Sequence, residues 1–277
     1  WAFSNISTSK VLIMRDDKNL LVSVRGGMKW PLKIGTELIK TYQLHGTCVH
    51  PRFRRQGLFS QINNVFVNEL IVENKQLIFN VSVKNSRIGY EKLGWKYVKG
   101  FRRLTKVNSP LILIKAKVLK SKVKQPKPSI NKVKKIFIPK DFFKAREKHF
   151  INVIHTVYTP EFLSWRLSNI EEGYQSYSTK NCIIIYKIKI SNNIKELIVG
   201  DVFLLVHKYT VFKEAFIKLN KSENQDLTYT YIFNTHPYFS YFLKMFFFPN
   251  PLNYNLNFGT KTLGESNEDL LNNKKWG

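Results

Sequence analysis

Residues 49 to 59 read Val-His-Pro-Arg-Phe-Arg-Arg-Gln-Gly-Leu-Phe. Three arginines, Arg52, Arg54 and Arg55, crowd a point where a strand hands over to a helix, and a lone glycine, Gly57, follows them. The start of a helix carries unpaired backbone N–H groups and the positive end of the helix dipole. Anions settle there without dedicated side chains. At such a start Gly57 lets the backbone approach a pyrophosphate, the arginines surround it with charge, and Gln56 adds a neutral donor. On its own an Arg-x-x-Gly turn is a weak motif and reads better as a solvated basic loop, so the elements around it decide.

Before the turn, "ELIKTYQLHGTCV" reads as a strand ending near Val49 and closed by Pro51. From Leu58 the period changes. Leu58, Ile62, Phe66 and Leu70 recur at four-residue spacing, which is one face of a helix ending near Glu73 and Asn74. "QLIFNVSV" then reads as a second strand, so residues 38 to 83 form a strand–turn–helix–strand unit. "KNSRIGYEKLGWKYV" follows, a short helix stopped by Gly94 with a strand from Trp95.

Residues 106 to 140 read as a linker. From Lys115 to Lys140 there are ten lysines, no acidic residue, and prolines at 126, 128 and 139. Beyond it the order strand ("LIVGDVFLLV"), helix ("VFKEAFIKL"), strand ("LTYTYIFN") and aromatic helix near Tyr238 repeats the first half. Trp-x-x-Ser-Asn, a Ser-Thr pair and an apolar strand occur after both Trp1 and Trp165, which suggests duplication. The second half has no Arg-x-x-Gly turn. In its place stands "HKYTVFKEAF", where Glu214 would face a phosphate.

The 277 residues, 43% hydrophobic and 14% aromatic, can build real cores, which excludes a disordered or fibrous chain. The net charge of +26 is uneven: +12 over residues 1 to 105, +12 over 106 to 148 and +2 over the rest. Such a field attracts polyanions, although a compositional drift toward lysine is the plainer account. Cys48 and Cys182 are the only cysteines, so neither a disulfide framework nor a Cys/His metal cluster is expected, and a reducing cytoplasm fits. "YFSYFLKMFFF", residues 238 to 248, is too short to span a membrane and reads as a buried helix.

A strand ending Val-x-Pro, an Arg-x-x-Gly turn, a helix and a second strand together resemble motif A of the GNAT superfamily of acetyl-CoA-dependent N-acyltransferases. "NSRIGYEKLGW" resembles the family's motif B at the family's spacing. The resemblance covers residues 1 to about 105. It implies an α/β (α+β) fold of tandem GNAT-like modules, each a mixed, mostly antiparallel sheet flanked by helices. The acyl-CoA-binding module would span 1–105, the linker 106–140 and a degenerate second module 141–277. The family's first strand and helices would precede Trp1.

The family also implies roles, carried here residue by residue. Backbone N–H groups of Arg55, Gln56, Gly57, Leu58 and Phe59 would hold the CoA pyrophosphate, with Arg54 fixing the turn. Thr47, Cys48 and Val49 would pair with the pantetheine arm, and Asn85 and Ser86 would flank it. Tyr90 would be the general acid that protonates the departing thiolate. No metal is implied. The acceptor would be a primary amine, such as an amino sugar or polysaccharide precursor, and the charge would suit an anionic one. Phe59 departs from the family, whose turn usually has Gly or Ala there. Cys48, having no His/Asp partner pattern, reads as strand packing and not as a nucleophile. The sequence identifies no general base: His45, Glu37 and His50 are close in sequence, and a water relay or an already neutral amine would also serve. The alternatives are a nucleic-acid-binding module, an aminoacyl transferase taking aminoacyl-tRNA, and an inactive scaffold. The basic stretches lack the interleaved aromatics that base stacking uses, and the intact turn favours CoA.

Overall fold

The computed structural model describes residues 9–109, 136–169, 172–191, 193–249, 256–264 and 276–277. The lysine-rich stretch from Lys115 to Lys135 and the Trp1 copy of the short repeat lie outside them. The chain forms two units. Unit 1 takes Trp1–Phe101, Asn152–Val157 and Asn255–Trp276, and unit 2 takes Arg102–Ile151, Tyr158–Tyr254 and Gly277.

Unit 1 is built on a six-stranded sheet. Its strands are β1 (Ser9–Arg15), β2 (Leu21–Lys29), β5 (Thr41–Val49), β6 (Leu77–Val83), β7 (Lys96–Tyr97) and β15 (Leu256–Thr262), in the order β1-β2-β5-β6-β15-β7. β3 (Leu32–Ile34), β4 (Glu37–Ile39) and β9 (His155–Thr156) make a separate three-stranded sheet. In the large sheet only β5 and β6 pair in parallel. Helix α1 (Leu58–Val72) connects them, as a parallel pair requires. Helix α2 (Lys84–Lys92) follows β6 and is ended by Gly94 in a left-handed conformation (φ 78°).

The apolar stripe of α1 buries Ile62, Phe66 and Leu70, and Phe66 and Leu70 join Tyr42, Leu44, Ile78, Tyr90 and Trp95 in one core. The Phe66 ring lies over Gly27 of β2 so closely that a Cβ on Gly27 would meet its Cζ at 2.7 Å. The glycine is what lets the helix sit down on the sheet.

Unit 2 has a second six-stranded sheet. It contains β8 (Phe101–Val107), β10 (Gln175–Ser178), β11 (Cys182–Ser191), β12 (Ile194–Leu204), β13 (Leu227–Phe233) and β14 (Phe248–Pro249), in the order β10-β11-β12-β13-β8-β14. Its helices are α3 (Lys140–Phe150), α4 (Pro160–Leu167), α5 (Tyr209–Glu223) and α6 (Phe239–Lys244). No described helix is long and apolar enough to cross a membrane.

The two sheets repeat one plan. In each, an antiparallel pair leads to a strand, a helix and a parallel strand (β5-α1-β6 and β12-α5-β13), then a short helix and a short edge strand. The plan corrects the repeat read from short motifs. The Ser-Thr match would set β1 against β11, whereas sheet position sets β1 against β10 and β2 against β11. Trp165 lies inside helix α4 and not before a strand. The sixth strand of each sheet comes from a distant stretch of chain. β15 sits between β6 and β7 in unit 1, and β8, which leaves unit 1 at Phe101, sits between β13 and β14 in unit 2.

Replacing Gly27 by Ala places a methyl inside the Phe66 ring, and overpacking of this kind costs about 1–3 kcal/mol. A urea melt should show that loss, and Phe66→Leu introduced beside Gly27→Ala should recover part of it.

Candidate functional site

β5 and β6 are hydrogen-bonded neighbours only over Thr41–Leu77, Tyr42–Ile78 and Gln43–Phe79. Beyond those three pairs β5 continues to Val49 and β6 to Val83 without pairing. The strands diverge, and each leaves a backbone edge facing the other across a slot.

The Arg-rich turn lies at the open end of β5. Pro51–Phe53 form a single 3₁₀ turn, and the Arg54 Nε reaches back to the Val49 carbonyl at 3.5 Å. Arg55 (φ 65°) and Gly57 (φ 80°) both take left-handed backbone, and Gly57 is the N-cap of α1. Ser60 and Gln61 are the first helix residues to donate backward, both to the Gly57 carbonyl at 2.9 and 3.1 Å. The N–H groups ahead of them are the free donors of a helix start. Arg54, Arg55, Gln56 and Gly57 are all exposed, and a Cβ on Gly57 would meet no atom within 4 Å.

Phe59 stands where the resemblance noted in the sequence leads one to expect a small residue. Its ring packs edge-on to Tyr90 at 5.2 Å between centroids and lies against Gly89, where a Cβ would come within 3.0 Å of it. The bulk at one position is thus accommodated by a missing side chain on α2.

Tyr90 is 4% exposed and projects from α2 into the core, yet its hydroxyl is not idle. Arg25 of β2 donates from Nη1 to the Tyr90 oxygen at 2.9 Å and to Thr47 Oγ1 as well. Thr47 Oγ1 is 3.5 Å from the same hydroxyl. Arg25 is 1% exposed, and burial pulls its pKa down to about 10 against the opposing pull of Tyr90, so it stays charged at neutral pH. Among the described residues its Nε and Nη2 have no partner and no carboxylate pairs with it. The sequence reading did not single out Arg25. The available signal was a charged residue inside the otherwise apolar strand "LVSVRGGMK", immediately before two glycines.

The remaining sequence candidates divide. Thr47, Cys48 and Val49 form the unpaired edge of β5 beyond its contact with β6. Ser86 lies in the first turn of α2, as does Asn85, whose side chain is outside the described residues. Cys48 is exposed, which corrects its reading as core packing. Gly46 (φ 62°) sits in a bulge where the β2–β5 register shifts, and a shift of register changes which side chains face inward. Of the candidate bases, Glu37 lies in the three-stranded sheet and the His50 Nδ1 accepts from the Arg52 N–H at 3.4 Å. His45 lies on β5, held neutral by burial and by the nearby Arg25, with its Nε2 unpartnered. Cys182 is buried and its thiol is pushed up to about 12, so it is no nucleophile. No group of three or more His, Cys, Asp or Glu among the described residues could hold a metal ion.

In unit 2, β12 and β13 also pair in parallel over four residues and then part. Here side chains join the two strand ends. His207, in the turn after β12, donates from Nε2 to the Ala145 carbonyl at 3.0 Å. Its bare Nδ1 therefore accepts from the Tyr238 hydroxyl, also at 3.0 Å, and Tyr238 follows β13. His149 stacks on His207 at 3.9 Å between centroids, and His236 and Phe150 pack beside Tyr238. Glu214, expected to face a phosphate, instead lies in the second turn of α5 and pairs with Lys218 at 2.7 Å. The residue in the place of Tyr90 is Phe242. Its carbonyl accepts from the Phe247 N–H at 3.1 Å, as that of Tyr90 accepts from the Trp95 N–H at 3.1 Å.

No protein-family model and no curated protein matches the chain. Among solved structures, a GCN5-related N-acetyltransferase from Kribbella flavida superposes with a TM-score of 0.56 at 12% sequence identity. The fold is that of a GCN5-related N-acetyltransferase. The match covers 87% of this chain and 57% of that one, so the chain spans little more than half the length of the structure it resembles. At this identity the likeness speaks for the GCN5-related fold, and the chemistry has to be argued from the slot, the turn and Tyr90.

The histidine cluster sets a pH dependence of stability. Burial, joined by the charge of Arg146, lowers the pKa of His149, of His207 to about 4, and of His236 well below the ordinary 6.5. The unfolded chain therefore binds more protons than the folded one below about 6.5, and stability rises with pH there. Thermal melts should show the midpoint constant above pH 7 and falling between pH 6.5 and 5, a range above the usual carboxylate titrations. His207→Gln should flatten that slope.

Proposed function

We propose that unit 1 is an acyl-CoA-dependent N-acyltransferase that moves an acetyl group from acetyl-CoA to a primary amine. The observation that carries this reading is the slot where β5 and β6 part after three residue pairs, with an open helix start at one end and a tyrosine hydroxyl beside it. An extended pantetheine arm suits two unpaired strand edges, and a pyrophosphate suits free N–H groups with exposed arginines around them.

In this reading the N–H groups of Arg55 through Phe59 hold the pyrophosphate and Arg54 keeps the turn in shape. Thr47, Cys48 and Val49 pair with the pantetheine, with Asn85 and Ser86 on its other side. The acceptor nitrogen attacks the thioester carbonyl, and Tyr90 gives its proton to the departing thiolate. A positioned acid contributes about 10²–10⁴-fold. The excess of lysine and arginine favours an anionic acceptor such as an amino sugar on a phosphorylated or polysaccharide carrier. Unit 2 is read as a degenerate second module that binds no CoA, which the His207–Tyr238 bridge and Phe242 support.

Gly57→Asp tests the turn. Gly57 has left-handed backbone (φ 80°), which aspartate tolerates better than most side chains, so the variant should stay folded with a modest loss in melting temperature. Its carboxylate would oppose the pyrophosphate, and acetyl-CoA affinity should fall at least about tenfold, or about 1.4 kcal/mol. Calorimetry with acetyl-CoA should give one site per chain. Unchanged affinity in the variant, or binding of short RNA in place of acetyl-CoA, would overturn the assignment. Tyr90→Phe deletes only the hydroxyl and should lower kcat while leaving acetyl-CoA affinity in place. A full-rate variant would reduce Tyr90 to packing.

A further inference from the structure

Arg25 presents an electrostatic problem that the fold leaves unsolved. A guanidinium 1% exposed is held in the core, and a buried charge is costly unless it is paired. Among the described residues its hydrogen-bond partners are both hydroxyls, Thr47 Oγ1 and Tyr90 OH, and it has no carboxylate. Of those two, Tyr90 is the group that can become an anion by losing a proton in water. The guanidinium also lies toward the tyrosine ring, with its Cζ 5.6 Å from the centroid.

Hydrogen-bond direction adds a second constraint. Arginine has donors and no acceptor, so Arg25 must donate and the Tyr90 oxygen must accept. The tyrosine's own hydrogen cannot point back at Arg25. Thr47 Oγ1, at 3.5 Å, is a long acceptor for it and already receives a hydrogen from Arg25. The hydroxyl hydrogen is thereby left for another acceptor, on the side where Thr47 belongs to the unpaired edge of β5.

We propose that Arg25 is the positioning residue of Tyr90: it fixes the hydroxyl so that its hydrogen is offered to the slot, and it holds the counter-charge for the tyrosinate left when that hydrogen is given up. The inference rests on the acyltransferase reading above. In the step concerned, the tetrahedral adduct collapses, the carbon–sulfur bond breaks and its electron pair stays on sulfur. The Tyr90 proton moves to that sulfur, giving CoA thiol and a tyrosinate opposite Arg25. The acceptor nitrogen has lost one proton on forming the amide, and one proton from solvent restores the tyrosine, so the cycle closes without a further reactant. Among the described residues the charge on Arg25 is uncompensated at rest, and it is compensated when charge develops, which is the sense in which preorganised dipoles and charges lower a barrier.

The test compares Arg25→Gln, Arg25→Lys and Tyr90→Phe for acetyl-CoA affinity, kcat and KM, and then repeats the rates with an acetyl thioester of nitrothiophenol. That leaving group needs no proton. Arg25→Gln should lower kcat by about ten- to a hundredfold with acetyl-CoA affinity unchanged, and Arg25→Lys should recover part of the loss. Combining Arg25→Gln with Tyr90→Phe should be no worse than Tyr90→Phe alone. With the nitrothiophenol thioester both single-variant defects should shrink together, which a merely structural role for Arg25 would not produce. If Tyr90→Phe is impaired while Arg25→Gln turns over at full rate, or if the Arg25→Gln defect persists with the activated thioester, this inference is wrong and the acyltransferase reading stands. If Tyr90→Phe itself is fully active, it is Tyr90's role as the acid that fails. Should the Gln variant not fold, Arg25→Lys carries the same comparison, because a displaced ammonium keeps the charge but not the two-hydroxyl geometry.

Discussion

The site depends on how early two neighbouring strands stop sharing hydrogen bonds. β5 and β6 pair in parallel for three residues, enough to fix their register and direction, and then separate. Backbone groups on an unpaired strand edge need partners, and the proposed function gives that role to an extended ligand. The rest of unit 1 serves that geometry. Gly27 lets Phe66 anchor α1 to the sheet, which fixes where the helix begins relative to the slot. Gly57 caps that helix in left-handed backbone and keeps its first N–H groups in the open.

Unit 2 shows what the same plan becomes when the slot is not kept open. Its parallel pair also parts, but the gap is bridged by a hydrogen bond from Tyr238 to His207 and lined with stacked rings. The position of Tyr90 holds a phenylalanine there. One unit carries a buried cation facing a hydroxyl, and the other has its buried Arg146 paired with Asp201 at 3.0 Å. A paired charge is at rest, whereas Arg25 meets two hydroxyls and no carboxylate among the described residues.

Much of unit 1 was legible because its signals are local. The change of hydrophobic period at Leu58, the glycine at 57 and the glycine at 94 each mark an element boundary within a few residues, and α1, β6 and α2 lie where those signals put them. Arg25 escaped because a single arginine in a strand says nothing about burial, and the hydroxyl it touches is 65 residues away. Cys48 was misplaced because residue type and the lack of a His/Asp pattern, which point to packing, say nothing of the bulge at Gly46. The short repeat set β1 against the wrong strand because a few matching residues carry no information about sheet order. Nothing in the sequence of β8 or β15 signals which sheet either one joins, since strand propensity describes a strand and not its neighbours.

The placement of those two strands bears on how the chain is made. β15 closes a gap in a sheet whose other large strands end by Val83, so unit 1 lacks one of its inner strands until the chain has been synthesised to Thr262. Until then β6 has an open edge, and an edge of that kind invites pairing with other chains. The contacts that complete the first unit span most of the length of the protein, which places its final assembly late on the ribosome and makes it slow by topology. A nascent chain of this design cannot finish the sheet of unit 1 before β15 has been made.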